Sequence, residues 1–268
     1  MKNVKIYTLY SGSSGNSTFV RIGDTAILID AGRNAKALRT ALSEIGENIE
    51  NIQAIFITHE HTDHISALDV LAKKNDIPIY ITRQSAQKIR PDSPVRERLI
   101  ERDIIFSEEI GDARITSFPT SHDSLMSVGY KIEFCDEDGT HAIGYATDTG
   151  YISEHIRKAL IGCEAVVLEC NHDVDMLMRG PYPYDLKRRV ASNKGHLSNK
   201  VCAEFSLDLV QSGTRAILLA HVSRENNEPT LAFDTVSNAI SGFDVNLCIA
   251  EPFSPTELVV PKGDNFSD

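Results

Sequence analysis

Short apolar runs alternate with polar turns along the first third of the chain. Lys5–Leu9, Thr18–Ile22 and Thr25–Ile29 have the β-branched, apolar content of strands, with the loop Ser11-Gly-Ser-Ser-Gly-Asn-Ser17 after the first. From Asn34 to Ile45, Ala37, Leu38, Ala41 and Leu42 fall at helical spacing and predict a helix. Ile52–Thr58 reads as a strand, Ser66–Lys74 as a helix and Ile77–Thr82 as a strand. Further strands are expected at Ala113–Phe118, Val128–Cys135, His141–Thr147, Ala165–Leu168 and Ala216–Leu219. Helices are expected at Ser153–Leu160, Asn199–Gln211 and Thr230–Ile240. Strands first, helices interspersed and strands still arriving late suit stacked sheets flanked by helices, not a simple doubly wound sheet. With no repeat or long linker in view, one domain over residues 1–268 is expected, with a polar, frayed tail after Pro261.

Bulk properties narrow the partners. A formal net charge of −11 excludes a protein that coats nucleic acid through its global field, but leaves room for a local phosphate track. One segment departs from the average: Lys187, Arg188, Arg189, Lys194 and Lys200 lie between Tyr182 and Lys200 with Asp185 as the only acid. By itself such a run is a solvated helix face. The N-terminus has no signal-like apolar region and no stretch approaches bilayer length, so no membrane association is expected. Cys135, Cys163, Cys170, Cys202 and Cys248 are odd in number and scattered, which suits reduced thiols in the cytoplasm.

Candidate chemistry concentrates in Thr58-His-Glu-His-Thr-Asp-His64, where His59, His61, Asp63 and His64 are all strong metal ligands. Imidazole and carboxylate together suit zinc, manganese or iron better than magnesium or calcium. The run leaves an apolar strand and is expected to enter a loop. His122, Asp148, His221 and Asp30 likewise follow apolar strand-like runs, where open α/β folds place their sites. Singly, Asp30 could be a turn residue and His221 a satisfied core histidine. The conjunction of one dense cluster with isolated ligands at strand ends favours a metal centre.

In this order, Asp30, His59-Glu-His-Thr-Asp-His64, His122, Asp148 and His221 resemble the motif set of the metallo-β-lactamase superfamily. The resemblance spans about residues 5 to 255. It implies an αββα four-layer sandwich: two stacked mixed sheets with helices on the outer faces. It also implies two divalent transition-metal ions (zinc, manganese or iron), the first on His59, His61 and His122. Asp63, His64 and His221 would hold the second, with Asp148 bridging and Asp30 orienting a ligand histidine. Two ions about 4 Å apart would acidify a shared solvent molecule and neutralise charge on a phosphoryl or acyl oxygen, with Asp63 also accepting a hydrogen bond from the nucleophile.

Two segments point to a phosphodiester. Gly195-His-Leu-Ser-Asn199 precedes a helix for which Ser198 is the natural N-cap, so free N–H groups there could meet an anion beside the basic stretch. Glu169 resembles the carboxylate that partners a histidine in the tRNA 3′-processing phosphodiesterases, which implies that it orients His196 as general acid. The segments Ser11–Thr18, Asn171-His-Asp173, Tyr182–Arg189, Gly195–Asn199 and His221–Asn227 together resemble the bacterial YycJ/WalJ group of stand-alone members. That resemblance implies a DNA exonuclease acting 5′ to 3′, with DNA as substrate in preference to RNA. Candidate substrate contacts are Ser13, Ser14, Asn16, His172, Lys187, Arg188, Arg189, Ser198 and Asn199. Alternatives at this level are hydrolysis of a small cyclic or signalling phosphodiester, thioester hydrolysis of the glyoxalase II type, and a non-catalytic regulatory module. Oligomeric state is not readable from the chain.

Overall fold

The computed structural model describes residues 2–261, so the tail expected to fray lies outside the described residues. In chain order the first half comprises β1 (Val4–Tyr10), β2 (Ser17–Ile22), β3 (Thr25–Ile29), α1 (Ala35–Glu44), β4 (Ala54–Phe56), α2 (Thr62–Ile65), α3 (Leu68–Lys74), β5 (Ile79–Thr82), α4 (Arg83–Ala86) and β6 (Leu99–Arg102). There follow β7 (Ser107–Ile110), β8 (Ala113–Pro119), β9 (Val128–Asp136), β10 (Gly139–Ala146), α5 (Glu154–Leu160), β11 (Ala165–Glu169), α6 (Val174–Arg179) and α7 (Tyr184–Val190). The chain ends with α8 (Asn199–Gln211), β12 (Ala216–Ala220), α9 (Pro229–Ala239), β13 (Asn246–Ile249) and β14 (Thr256–Glu257).

These strands make two seven-stranded sheets, ordered β14-β1-β2-β3-β4-β5-β6 and β13-β12-β11-β10-β9-β8-β7. Both are mixed. The first is antiparallel from β1 to β3 and parallel from β3 to β6. The second is antiparallel from β7 to β10 and parallel from β10 to β13.

Strand periodicity explains the layering. Successive side chains point to opposite faces, and nearly continuous apolar strands such as Ala26-Ile-Leu-Ile must be covered on both. Ile27 and Ile29 of β3 enter the core between the sheets with Phe56, Tyr130, Ile132, Val167 and Leu218. Leu28 faces outward onto Leu38 and Leu42 of α1 and Leu68 and Leu71 of α3. In the second sheet Val167 faces inward, while Val166 and Leu168 meet Ile156, Leu160, Phe205, Leu209 and Val236 on α5, α8 and α9. The result is the four-layer αββα sandwich expected. At its centre Phe56 stacks on Tyr80 with ring centroids 4.7 Å apart. The Tyr130 hydroxyl donates to the Ile57 carbonyl at 2.6 Å, tying one sheet to the other just below the histidine run.

Boundaries moved where local chemistry overrode pattern. The strand expected over Ile52–Thr58 shrinks to Ala54–Phe56, because Ile49–Asn51 forms a 3₁₀ turn and the chain leaves the ladder to deliver His59. The histidine run is not all loop: Asp63 and His64 sit in the helical turn α2. The basic segment is itself a helix, α7, with no buried residue. Edge strands β6 and β7 were not expected from Leu-Ile-Glu-Arg and Ser-Glu-Glu-Ile, whose charges suit a sheet edge better than a core.

Candidate metal centre

The ligand candidates converge at one end of the sandwich because parallel strands end there together. Asp30 follows β3, His59 follows β4, Asp148 follows β10, Glu169 closes β11 and His221 follows β12. At three of these exits the backbone turns left-handed at a non-glycine residue: Asp30 (φ 61°), Asp148 (φ 54°) and His221 (φ 56°). That conformation is uncommon outside glycine, and aspartate and histidine are among the side chains that tolerate it. A main-chain weave fixes the same region. Asn16 N–H donates to the Asp63 carbonyl (2.7 Å), Gly32 N–H to Asn16 (2.8 Å) and Ala31 N–H to His64 (2.8 Å). Gly32 permits it, since a Cβ there would sit 1.9 Å from the Asp63 carbonyl oxygen.

Among the described residues, four overlapping groups of potential ligands, each with its ligand atoms mutually within 4.8 Å, meet here: His59, His61 and His122; Asp63, His64 and His221; His59, His64 and Asp148; and Asp148, Glu169, His196 and His221. Asp148 lies between the first two. Its Oδ1 is 3.7 Å from His122 Nε2 and 3.6 Å from His221 Nε2, and its Oδ2 is 3.5 Å from His64 Nε2.

Each of four histidines is held by one ring nitrogen. His64 Nδ1 meets Asp30 Oδ2 at 2.8 Å, while Asp30 accepts from both the amide and the hydroxyl of Thr58, each at 2.8 Å. His59 Nδ1 lies 3.1 Å from the Thr58 hydroxyl, and His122 Nδ1 lies 3.1 Å from the Gly195 carbonyl. His221 Nδ1 lies 3.3 Å from Glu169. With Nδ1 committed as donor, the tautomer leaves a lone pair on Nε2. His59 Nε2, His221 Nε2 and Asp148 Oδ2 are screened from solvent and have no hydrogen-bond partner among the described residues. Buried polar atoms without partners are costly, and here they converge on shared space; a divalent transition metal fits that donor set.

Charge in the cluster is lopsided. Burial and the neighbouring histidines hold His59 well below the usual imidazole range. Burial also opposes a charged His64, yet Asp30 and Asp148 outweigh it and lift this ring well above that range. His221, pressed the other way by burial, is raised to about 9 by Asp148 and Glu169. Against burial, the facing histidines hold Asp63, Asp148 and Glu169 below the ordinary carboxylate range. The carboxylates therefore stay ionised, and a divalent cation would neutralise the charge they concentrate.

Glu169 does more than the sequence suggested. Fully buried, it meets His196 Nδ1 at 2.7 Å and accepts from the amides of Thr149 (2.9 Å) and Leu197 (3.2 Å), besides reaching His221. It thus positions both His196 and a ligand histidine. His196 packs face to face with His221, ring centroids 5.1 Å apart.

The expected substrate contacts divide sharply. Ser13 and Ser14 are exposed on the Ser/Gly loop. Ser198 caps α8, accepting from Val201 N–H at 3.3 Å. Three assignments need correction. Asn199 is buried, and its amide is spent on Asn227 (2.8 Å) and its oxygen on Cys170 and Asn227. Asn16 is buried too, bracing the loop at Gly12 and reaching Asp63 and His64 at 3.1 Å, so it serves the metal ligands. His172 is only 3% exposed and its pKa falls to about 4 through burial, so it is a neutral core ring. On α7, Lys187 Nζ donates to the Met178 carbonyl at 2.8 Å and Arg188 lies over the Tyr184 ring. Arg189 pairs with Asp123.

Two contributors escaped sequence reasoning. Asp123 Oδ1 lies 3.2 Å from His122 Nε2, and its adjacency to His122 was the only available signal. Asn171 anchors the His221 carbonyl at 2.7 Å across 50 residues; it lies in the Asn171–Asp173 segment that carries the family resemblance, but no role is legible for it there.

Comparison with known proteins places this geometry. Residues 25–221 match the Beta-lactamase superfamily domain. The chain is 34% identical over 265 residues to Exodeoxyribonuclease YycJ of Bacillus anthracis, covering 93% of this chain and 96% of that protein. It is also 34% identical over 247 residues to Exodeoxyribonuclease WalJ of Streptococcus pneumoniae, covering 91% and 90% respectively. Among solved structures, Zn²⁺-bound PqqB from Methylobacterium extorquens superposes with a TM-score of 0.68 at 15% identity, covering 95% of this chain and 99% of that one, a likeness of fold alone. The chain belongs to the metallo-β-lactamase superfamily and, within it, is a metal-dependent hydrolase similar along nearly its whole length to the YycJ and WalJ proteins.

Proposed function

We propose that the protein is a two-metal phosphodiesterase that shortens DNA from an end, working 5′ to 3′. The observation that carries the reading is the Glu169–His196 pair, 2.7 Å apart and stacked against His221 at the edge of the ligand cluster. Two side-by-side ligand groups sharing Asp148 support two ions, and the His/Asp donor set suits zinc, manganese or iron. Such ions supply Lewis acidity and hydroxide at neutral pH.

The chain's own residues do the rest. His59, His61 and His122 would hold one ion and Asp63, His64 and His221 the other, with Asp148 between. Asp30 fixes the His64 tautomer. Asp63, partly exposed and ionised, would help to hold an ion and has an oxygen that can accept a hydrogen bond from the attacking solvent. His196 donates Nδ1–H to ionised Glu169, which stabilises a proton on Nε2 for transfer to the leaving oxygen. A thioester reading gives this histidine less to do, because a thiolate leaves without protonation at neutral pH.

DNA as substrate, and the 5′-to-3′ direction, rest on similarity to the YycJ and WalJ exodeoxyribonucleases and on the group's motifs. No helix among the described residues is long and apolar enough to cross a membrane, and Cys163, Cys170 and Cys202 are buried free thiols. The scattered free thiols suit a reducing compartment, and we propose a cytoplasmic protein of one domain over residues 1–268. The deciding experiment follows 5′- and 3′-labelled DNA and RNA over time with manganese or zinc. Release of mononucleotides from the DNA 5′ end is expected. Turnover of bis-p-nitrophenyl phosphate with both polymers left intact would replace this reading with a small-diester hydrolase.

A further inference from the structure

On α7, Lys187 and Arg189 are committed to the Met178 carbonyl and to Asp123, whereas two arginines that follow other ligand candidates meet no carboxylate among the described residues. Arg33 lies three residues beyond Asp30, and Arg224 three residues beyond His221. The Arg33 guanidinium carbon is 4.7 Å from the centroid of the Tyr10 ring and 5.0 Å from that of Phe253; Arg224 lies 5.2 Å from Phe253. Tyr10, Arg33, Phe253 and Arg224 thus form a ladder of alternating rings and guanidinium groups. Its base, Tyr10, is buried, and its outer members, Phe253 and Arg224, are exposed. Among the described residues no carboxylate lies within 4.0 Å of either guanidinium.

The ladder is built, not incidental. Arg33 has a left-handed backbone (φ 58°), and its stem runs against Gly15, where a Cβ would sit 2.0 Å from Arg33 Cγ. The Ser/Gly loop therefore seats Arg33 on one side and, through Asn16, touches Asp63 and His64 on the other. Stacking on rings fixes the guanidinium planes and leaves N–H edges for phosphate oxygens. An exposed ring beside two such edges is the combination that grips a single nucleic-acid strand by its backbone and one base or sugar.

We propose that the Tyr10–Arg33–Phe253–Arg224 ladder, with Ser13 and Ser14 beside it, clamps the single DNA strand flanking the scissile phosphate. This rests on the nuclease reading above and adds to it the track the polymer follows. In a chain of net charge −11, such a local clamp lets a polyanion approach one face only.

The test is binding of 5′-fluorescein-labelled dT20 with a phosphorothioate backbone to the metal-bound protein, followed by anisotropy from 50 to 200 mM salt. Variants are Arg224→Ala, Phe253→Ala and the double change Arg33→Asn with Arg224→Ala; asparagine tolerates the left-handed backbone. Lys158→Ala, an exposed cation on α5, is the control for the general field. The double variant is expected to bind at least about 10-fold more weakly, with a salt slope lower by about 1.4, two phosphate contacts at ~0.7 each. Phe253→Ala is expected to weaken binding about 5-fold or more at an unchanged slope. Equal effects from Lys158→Ala, or unchanged affinity and slope in the ladder variants, overturn the clamp. Cleavage of end-labelled DNA by the native protein separates the two ideas. DNA cleaved with ladder variants binding normally sinks the clamp alone; ladder-dependent binding without cleavage sinks the nuclease reading alone.

Discussion

Both ends of the sandwich set histidine against carboxylates, yet among the described residues only one end groups ligand atoms that could hold a metal. At the ligand edge His59, His64, His122 and His221 each spend Nδ1 on a fixed partner; Nε2 of His59 and His221 has no hydrogen-bond partner among the described residues, while Nε2 of His64 meets Asn16 and that of His122 meets Asp123. Toward the opposite edge, His141 in β10 spends both nitrogens, meeting Glu164 at 2.7 Å and Asp136 at 2.8 Å. Arg215 completes that group by bonding Glu164 at 2.9 Å, and the His141 ring stacks on Phe134. The ligand edge gathers six histidines and the opposite group only His141, but the instructive difference is whether ring nitrogens remain without a partner. A histidine–carboxylate cluster becomes a ligand set when each ring is held from behind, and a clasp when it is held from both sides.

The largest effect that could break this contrast is expected from Asp148→Asn. Asp148 faces both groups, so metal content measured by elemental analysis should fall for both and hydrolysis should drop to background. Retention of both ions would show that Asp148 does not join the two groups. Next comes His196→Ala, which should slow turnover by about 10²–10⁴ while metal content stays unchanged; lost metal would make His196 a ligand. Asp30→Asn should weaken metal affinity by roughly 10–100-fold, read by chelator competition, because His64 loses the acceptor that sets its tautomer. An unaltered affinity would empty the distinction between a held ring and a free one.

The smallest effect belongs to the clasp. Burial opposes a proton on His141, but Asp136 and Glu164 outweigh it and raise its pKa above the ordinary value of 6.5. The stabilisation is therefore fully present below pH 6.5 and is lost as pH rises through the raised value. His141→Asn should destabilise the fold more at pH 6 than at pH 9, by about 1 kcal/mol or less given its partial exposure, read from denaturant unfolding at the two pH values. Metal content should not change. A larger loss at pH 9 would reverse the assigned linkage.

The convergence of the ligand candidates was legible because such residues sit in short motifs at strand ends, and strand ends are marked by apolar runs such as Ala216-Ile-Leu-Leu-Ala. The layers were legible for the same reason, since buried strands in both sheets are almost wholly apolar. Helix α7 was harder: with nothing buried, it carries no apolar period, and its cations read as free when Lys187 and Arg189 are engaged at Met178 and Asp123. Asn199 misled because a polar residue at a helix start looks available, yet Asn227, 28 residues away, claims its amide. The ladder was invisible for a geometric reason: Tyr10, Arg33, Arg224 and Phe253 are brought together only by the sheet-edge loops.

The left-handed backbone at Asp30, Asp148 and His221 also decides which substitutions give an interpretable answer. Alanine at such a position adds about 1–2 kcal/mol of conformational penalty to whatever the lost side chain did, so a dead alanine variant confounds a missing ligand with a misdirected chain. Asparagine keeps the turn and removes only the charge or the imidazole. An alanine scan of this protein would overstate the chemistry at three of its ligand-edge positions; an asparagine scan would separate chemistry from folding.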